Sequence, residues 1–229
     1  MDLDGDGIRD IISGSYPGEL YLIAGRPEGG FRAPVVIADR DGDPIRLSSA
    51  SVPFAVDWDR DGDLDLAVGD IRGRVHFVRN ESGDGSLSLG GDELVEAEGE
   101  QIACGQGDAG PVVADWDGDG TLDLILGTGE GSVLLYRNTV RQGPPRLLAP
   151  TVLVPPSSLK PGNEPSSDAS PAPGIRAKVC VDDWNGDGRL DLIVGDFGVT
   201  RKAEPKEELQ SAGMPLLNYH GWVWVYLRK

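Results

Sequence analysis

The sequence predicts an all-β protein built from repeated, four-stranded antiparallel units, and three observations predict it. One acidic phrase occurs four times, as DLDGDGIRD at 2–10, DWDRDGDLD at 57–65, DWDGDGTLD at 115–123 and DWNGDGRLD at 183–191. Regular recurrence at such a spacing marks a repeat architecture. Short Val/Leu/Ile runs flank the copies, cut by 33 Gly and 17 Pro, and no long helical periodicity runs through the 229 residues.

Each unit reads in the same order. An apolar strand precedes the acidic loop: VPFAV (52–56), PVVA (111–114) and AKVCV (177–181). A second strand leaves it through LDLAVG, LDLILG or LDLIVG. After a glycine turn comes a third strand, in GELYLIAG (18–25), GRVHFVRN (73–80), GSVLLYRN (131–138) and GWVWVYLRK (221–229). A less regular fourth strand is expected near PVVIAD, ELVEAE and LAPTVLV. Four short antiparallel strands per unit describe a β-propeller blade. The blades are expected at about 1–50, 51–108, 109–156 and 175–229, with a linker at 157–174 and an insertion at 196–220 inside the last. The first unit begins at its loop with no strand before it, so the four blades are expected to form part of a larger propeller, the competing reading being a small ring whose ends meet by strand exchange.

Within the loop, positions 1, 3 and 5 carry oxygen ligands in every copy. They are Asp2, Asp4 and Asp6; Asp57, Asp59 and Asp61; Asp115, Asp117 and Asp119; and Asp183, Asn185 and Asp187. Alternate residues of a tight loop converge on one point, and calcium takes six to eight such oxygens. Position 6 is Gly7, Gly62, Gly120 or Gly188, where a sharp reversal favours positive φ. Position 7 is Ile8, Asp63, Thr121 or Arg189, a set with no common side-chain chemistry, which implies ligation through the backbone carbonyl. Position 9 returns to carboxylate as Asp10, Asp65, Asp123 and Asp191. Up to four Ca²⁺ ions are expected. The loop is not an EF-hand, which needs Glu at position 12 and flanking helices; here Ser13, Val68, Leu126 and Val194 stand there, and β-type runs follow. Solvated acidic turns are the competing reading, but three carboxylates forced together repel unless a cation separates them.

The formal net charge of −17 follows largely from these loops, and four divalent cations would offset nearly half of it. Such acidity excludes a nucleic-acid partner, which needs a basic footprint. No stretch reads as a signal peptide, a transmembrane run or a lipidation motif. Of the two cysteines, Cys180 occupies the position of Phe54 and Val112, which favours a small buried thiol over a disulfide with Cys104. Position 2 of the loop is Leu3, Trp58, Trp116 or Trp184, expected to pack blade on blade. DRDGDP (39–44) imitates the loop but has Pro44 and Leu47 at positions 6 and 9, so it reads as a turn leading into the first unit's fourth strand.

Catalysis has no candidate residues. His76 aligns with Tyr21, Leu134 and Trp224, which marks a structural position, and His220 has no nucleophile motif beside it. Two segments break the repeat: the Pro- and Ser-rich stretch 143–174, and the 196–220 insertion with AEPKEELQSA, a candidate short helix, followed by Asn218, Tyr219, His220 and Trp222. Calcium loops join strands one and two. The insertion joins two and three, and the linker joins four and one, so both fall on the opposite face. Departures from a rigid scaffold are where binding concentrates.

The combination of an apolar strand, D-x-D-x-D-G-x-x-D, LDLxVG and a strand ending near RN resembles the FG-GAP/VCBS repeat family, the integrin-α-type calcium-binding propellers, on the bacterial VCBS-like side. That resemblance spans all four units. It implies a secreted or cell-surface protein, usually closed as a seven-bladed ring, acting as a binding or adhesion module for a protein or carbohydrate, without membrane insertion. A calcium-dependent polysaccharide lyase, or a non-catalytic part of one, is the alternative it leaves open.

Overall fold

In the computed structural model, residues 1–158, 173–201 and 217–229 are described, and they are all strand, turn and loop. The candidate helix in AEPKEELQSA and most of the linker lie outside the described residues. Four antiparallel sheets follow one another along the chain. The first contains β1 (Ile11–Gly14), β2 (Leu20–Ile23) and β3 (Val35–Val36). The second contains β4 (Val52–Val56), β5 (Asp65–Gly69), β6 (Val75–Asn80) and β7 (Leu89–Leu94), followed by a small hairpin of β8 (Glu96–Ala97) and β9 (Glu100–Gln101). The third contains β10 (Gly110–Ala114), β11 (Asp123–Gly127), β12 (Val133–Tyr136) and β13 (Thr151–Val154). The fourth contains β14 (Ile175–Asp182), β15 (Asp191–Arg201), β16 (Leu217–His220) and β17 (Val223–Tyr226). Strand order equals chain order in the first three. This is the blade arrangement of a β-propeller, four blades long.

Sandwiching explains the continuous apolar runs. β5 and β11 are buried at every residue, because a blade covers each of their faces; such strands lose the polar–apolar alternation of a half-exposed sheet. Three cores result. Leu20, Leu22, Leu66 and Val68 join blades one and two; Trp58, Phe77, Leu124 and Leu126 join two and three; Trp116, Ile125, Leu192 and Val194 join three and four. Among the described residues no such cluster joins the fourth blade to the first.

The glycine that ends each second strand sets the blade spacing. A Cβ at Gly14, Gly69 or Gly127 would overlap the carbonyl oxygen of Ser51, Ala109 or Ala177 in the next blade. Those same residues donate their N–H groups back to Ser15, Asp70 and Thr128 at 3.0–3.1 Å. Replacing Gly127 with Ala is therefore expected to cost about 1–3 kcal/mol, the range for overpacking, read as a lower midpoint in urea with an unchanged slope.

Three expectations need correction. Cys180 is exposed and Cys104 is the buried thiol; both are free. Trp58 and Trp116 are 1% and 8% exposed, but Trp184 is 63% exposed. Both departures have one cause: Cys180 and Trp184 lie on the face of blade four that no blade covers among the described residues. The 39–44 turn follows β3 rather than leading into it, with Asp39 Oδ1 accepting from the N–H groups of Asp41 and Asp43.

Candidate metal loops and binding face

The four loops fold by the same ladder of side-chain-to-backbone bonds. The position-one carboxylates of Asp2, Asp57, Asp115 and Asp183 accept from the N–H of Gly7, Gly62, Gly120 and Gly188 at 2.8–3.2 Å. Oδ1 of Asp4, Asp59, Asp117 and Asn185 accepts from the N–H of position five at 2.8–3.3 Å. Position five repeats the motif toward Ile8, Asp63, Thr121 and Arg189 at 2.7–3.0 Å. The bonds from positions three and five are Asx turns, and the position-one bond closes them into a loop, a local structure written by its own aspartates. Position-six glycines have φ between 84° and 106°. Position four is left-handed as well, a demand the sequence reading missed: Gly5, Gly118 and Gly186 meet it freely, while Arg60 holds φ 59°.

In three loops the carboxylates of positions one, three and five converge within 4.8 Å: Asp2, Asp4 and Asp6; Asp57, Asp59 and Asp61; Asp115, Asp117 and Asp119. The fourth places Asp183, Asn185 and Asp187 in the same bonding pattern, with an amide oxygen at position three. At position seven the Asp63 side chain turns away, accepting from the N–H of Gly83 and Gly85 at 2.5 and 3.0 Å; the first of these bonds is the main reason its pKa is lowered.

Position nine plays a role that spacing did not reveal. Asp10, Asp65, Asp123 and Asp191 are all at most 6% exposed. Their Oδ1 atoms accept from the N–H of Gly25, Asn80, Asn138 and Arg228 on the third strand, at 2.7–2.9 Å. In blades one and two Oδ2 also accepts from Leu3 and Trp58 N–H. The residue staples the loop to the blade. In blades three and four the second oxygens, Asp123 Oδ2 and Asp191 Oδ2, are buried without a hydrogen-bond partner. An anionic oxygen left so is costly unless a cation meets it, and this, with the convergent triads and the all-oxygen donor set, fits calcium.

Electrostatics point the same way. Burial pushes the Asp65 carboxyl up to about 7, against the Asn80 hydrogen bond that lowers it and with the Asp59 charge adding to it. Asp123 is pushed up to about 6, again mainly by burial, with Asp117 and Asp119 contributing. Asp4 and Asp59 are raised by desolvation and by neighbouring carboxylates. The loops are thus strained toward protonation when only protein charges surround them. Two arginines answer in part: Arg79 Nε lies 3.1 Å from Asp59 Oδ2, and Arg137 Nε lies 3.5 Å from Asp117 Oδ2.

Away from the loops, the 196–220 insertion extends blade four. β15 runs on past Gly195 and pairs with β16 from Gly198↔His220 to Arg201↔Leu217, while β17 pairs with the first half of β15. Asp196 secures the base. Its Oδ2 accepts from Gly174 N–H at 2.5 Å and from Trp224 Nε1 at 2.6 Å, and its Oδ1 accepts from Trp222 N–H at 3.2 Å. Ser157 Oγ donates to Pro173 O at 2.7 Å, so the two ends of the linker meet beside the hairpin base. Phe197 and Tyr219 stack at 5.8 Å and 23°, and His220 and Trp222 at 4.9 Å and 20°. Tyr219 is 68% exposed. Asp196 was missed, although Asp70 also follows a VG end and likewise anchors its blade: it binds Arg74 and, at 3.3 Å, the Nε2 of buried His76, whose Nδ1 meets Asp92 at 2.8 Å. His76 is therefore structural, as expected.

The fold and its loops define an acidic-loop β-propeller. The family model for the FG-GAP-like repeat matches residues 2–68 and 57–126, and the chain belongs to that family. Cartilage acidic protein 1 of Mus musculus is 32% identical over 139 residues, covering 56% of this chain and 20% of the relative. Among solved structures, a lectin of Agrocybe aegerita, described by its specific recognition of non-reducing terminal N-acetylglucosamine, superposes with a TM-score of 0.50 at 22% identity, covering 84% of this chain and 45% of the lectin. The chain thus spans about a fifth of the curated relative and under half of the lectin. Among the described residues no helix is long and apolar enough to cross a membrane.

Proposed function

We propose that this chain is a calcium-clamped binding module of an extracellular or cell-surface protein, taking a carbohydrate on the blade-four hairpin. The observation that carries the reading is the exposed Tyr219 ring, stacked on Phe197 and held over a base fixed by Asp196. A preorganised aromatic face with polar neighbours suits a sugar ring, since little side-chain entropy is lost on binding. Thr200 Oγ1 and His220 Nε2, 2.7 Å apart, stand on the same hairpin. The lectin of similar fold supports glycan binding as something this scaffold accommodates, and the residues proposed here are this chain's own.

Calcium would be held by side chains at positions one, three, five and nine of each loop and by the carbonyls of Ile8, Asp63, Thr121 and Arg189; bound there, it neutralises the carboxylates and locks strand one to strand two. The lyase alternative, which calls for an uncommitted Lys or Arg base in a cleft, gains no observation of its own among the described residues.

Titration calorimetry with oligosaccharides ending in N-acetylglucosamine tests the reading. Tyr219→Ala is expected to weaken binding at least tenfold, and shortening 196–220 to three residues to abolish it, with calcium uptake unchanged in both. Asp117→Ala is expected to do the reverse, weakening the third calcium site first. Undiminished sugar binding by the shortened chain would move recognition to another surface; no binding by the parent chain would remove the carbohydrate reading.

A further inference from the structure

We infer that Arg79 is the resident counter-ion of the second acidic loop and sets that loop's affinity for calcium, because it must give up Asp59 before a metal can take the same oxygen. The inference rests on the calcium reading proposed above. It adds a difference between the four loops that their shared motif conceals.

Arg79 Nε lies 3.1 Å from Asp59 Oδ2, with the two side chains 30% and 6% exposed. Asp59 Oδ1 already accepts from the N–H of Asp61, so Oδ2 is the oxygen left for a cation. Of the four position-three residues only Asp59 is buried. The turn between β12 and β13 covers it, with Gly143 N–H donating to Asp59 O at 2.7 Å. A charge pair enclosed in this way is screened far less than one in open solvent. Burial raises the Asp59 carboxyl and the Asp61 charge adds to it, while the Arg79 charge opposes both. The contact is nevertheless an ion pair without a formed hydrogen bond, since Arg79 Nε is buried and has no hydrogen-bond partner. The guanidinium is held by charge and by the Phe77 ring, 5.5 Å from its Cζ. On leaving, the Nε gives up no hydrogen bond.

The other loops lack this arrangement. The position-nine staple fixes the register, since it reaches the N–H of Gly25, Asn80, Asn138 and Arg228. The third-strand residue just before each of these is Ala24, Arg79, Arg137 or Leu227. Blades one and four therefore send no cation from that strand toward position three. Arg137 stands 3.5 Å from Asp117 Oδ2, but the two side chains are 57% and 30% exposed, where solvent leaves an ion pair little strength. Arg189, from within the fourth loop, is 3.8 Å from Asp187 and is half exposed as well. Among the described residues no ion pair reaches a carboxylate of the first loop.

The amides of Gly7, Gly62, Gly120 and Gly188 each donate to the position-one aspartate of their own loop, so their signals read the four loops separately. Proton–nitrogen correlation NMR of the whole chain, titrated with calcium, tests the inference. Arg79→Gln is expected to lower the calcium concentration for half the Gly62 shift at least fivefold and to leave that for Gly7 unchanged. Arg79→Lys keeps the charge and is expected to stay within threefold of the parent. In the parent the Arg79 Nε signal is expected to move in step with Gly62. A Gly62 midpoint that Arg79→Gln leaves unmoved or raises would overturn the inference. So would an equal fall at Gly7, an Arg79→Lys variant that matches Arg79→Gln, or a still Nε signal while Gly62 shifts. Each of these leaves calcium binding itself standing. A parent chain in which none of the four glycines responds to calcium would remove the calcium reading and this inference together.

Discussion

Calcium is expected to raise the melting temperature of this chain well above its value in a chelator, and the gap is expected to widen with pH. A single site held at a hundredfold excess over its Kd stabilises by about 2.7 kcal/mol, which is about 5–10 °C for a domain of this size. Several sites act together here, so the total exceeds that of one. The pH dependence follows from Asp65 and Asp123, whose carboxyls burial raises to about 7 and about 6. In chelator, a raised folded pKa means that these groups favour folding most below their unfolded value near 3.8 and lose that contribution as pH climbs through 6–7. With calcium the charged form is the one the loop needs, and protons compete with the metal below that window. The chelated protein therefore loses stability from pH 5 to 8 while the calcium form does not. Melting by circular dichroism at pH 5, 6, 7 and 8, with 5 mM calcium or EGTA, reads both effects. Equal midpoints at every pH would remove the metal from the loops; a gap that shrinks as pH rises would mean that the buried aspartates are not part of the sites.

Trp58→Ala is expected to be the most damaging substitution outside the acidic ligand positions of the loops. Trp58 is 1% exposed, meets Phe77 edge-on at 5.4 Å and 82°, and donates its indole N–H to Leu122 O in the next blade. Emptying a buried Trp site costs about 3–5 kcal/mol, and the carbonyl left behind adds to it. Trp184→Ala, at the same loop position in blade four, is expected to change stability by no more than about 0.5 kcal/mol, the usual range for exposed sites. Urea denaturation of the two variants side by side reads the contrast. A matching loss in both would show that position two serves its own loop rather than the blade junction.

The sequence alone determined what is local. The loop ladder runs between residues two to five apart, so the aspartates that build it also announce it, and the carboxylate triads of blades one to three converge within 4.8 Å. The second and third strands were legible for a related reason: sandwiched blades demand unbroken apolar runs ending in a glycine, as in DLAVG and DLILG. Position nine was readable as carboxylate but not as a staple, because its partners Asn80 and Asn138 are 15 residues away. What only the tertiary structure decided depends on a neighbour. Trp58 and Trp184 sit in the same loop sentence, and one is core while the other is surface, because burial belongs to the blade that covers a residue and not to the residue. Cys180 and the exposed Val223 follow the same rule. The pairing of β15 with β16 likewise joins the two described ends of the 196–220 insertion, where composition signalled an interruption but could not signal that strand two runs on as far as Arg201.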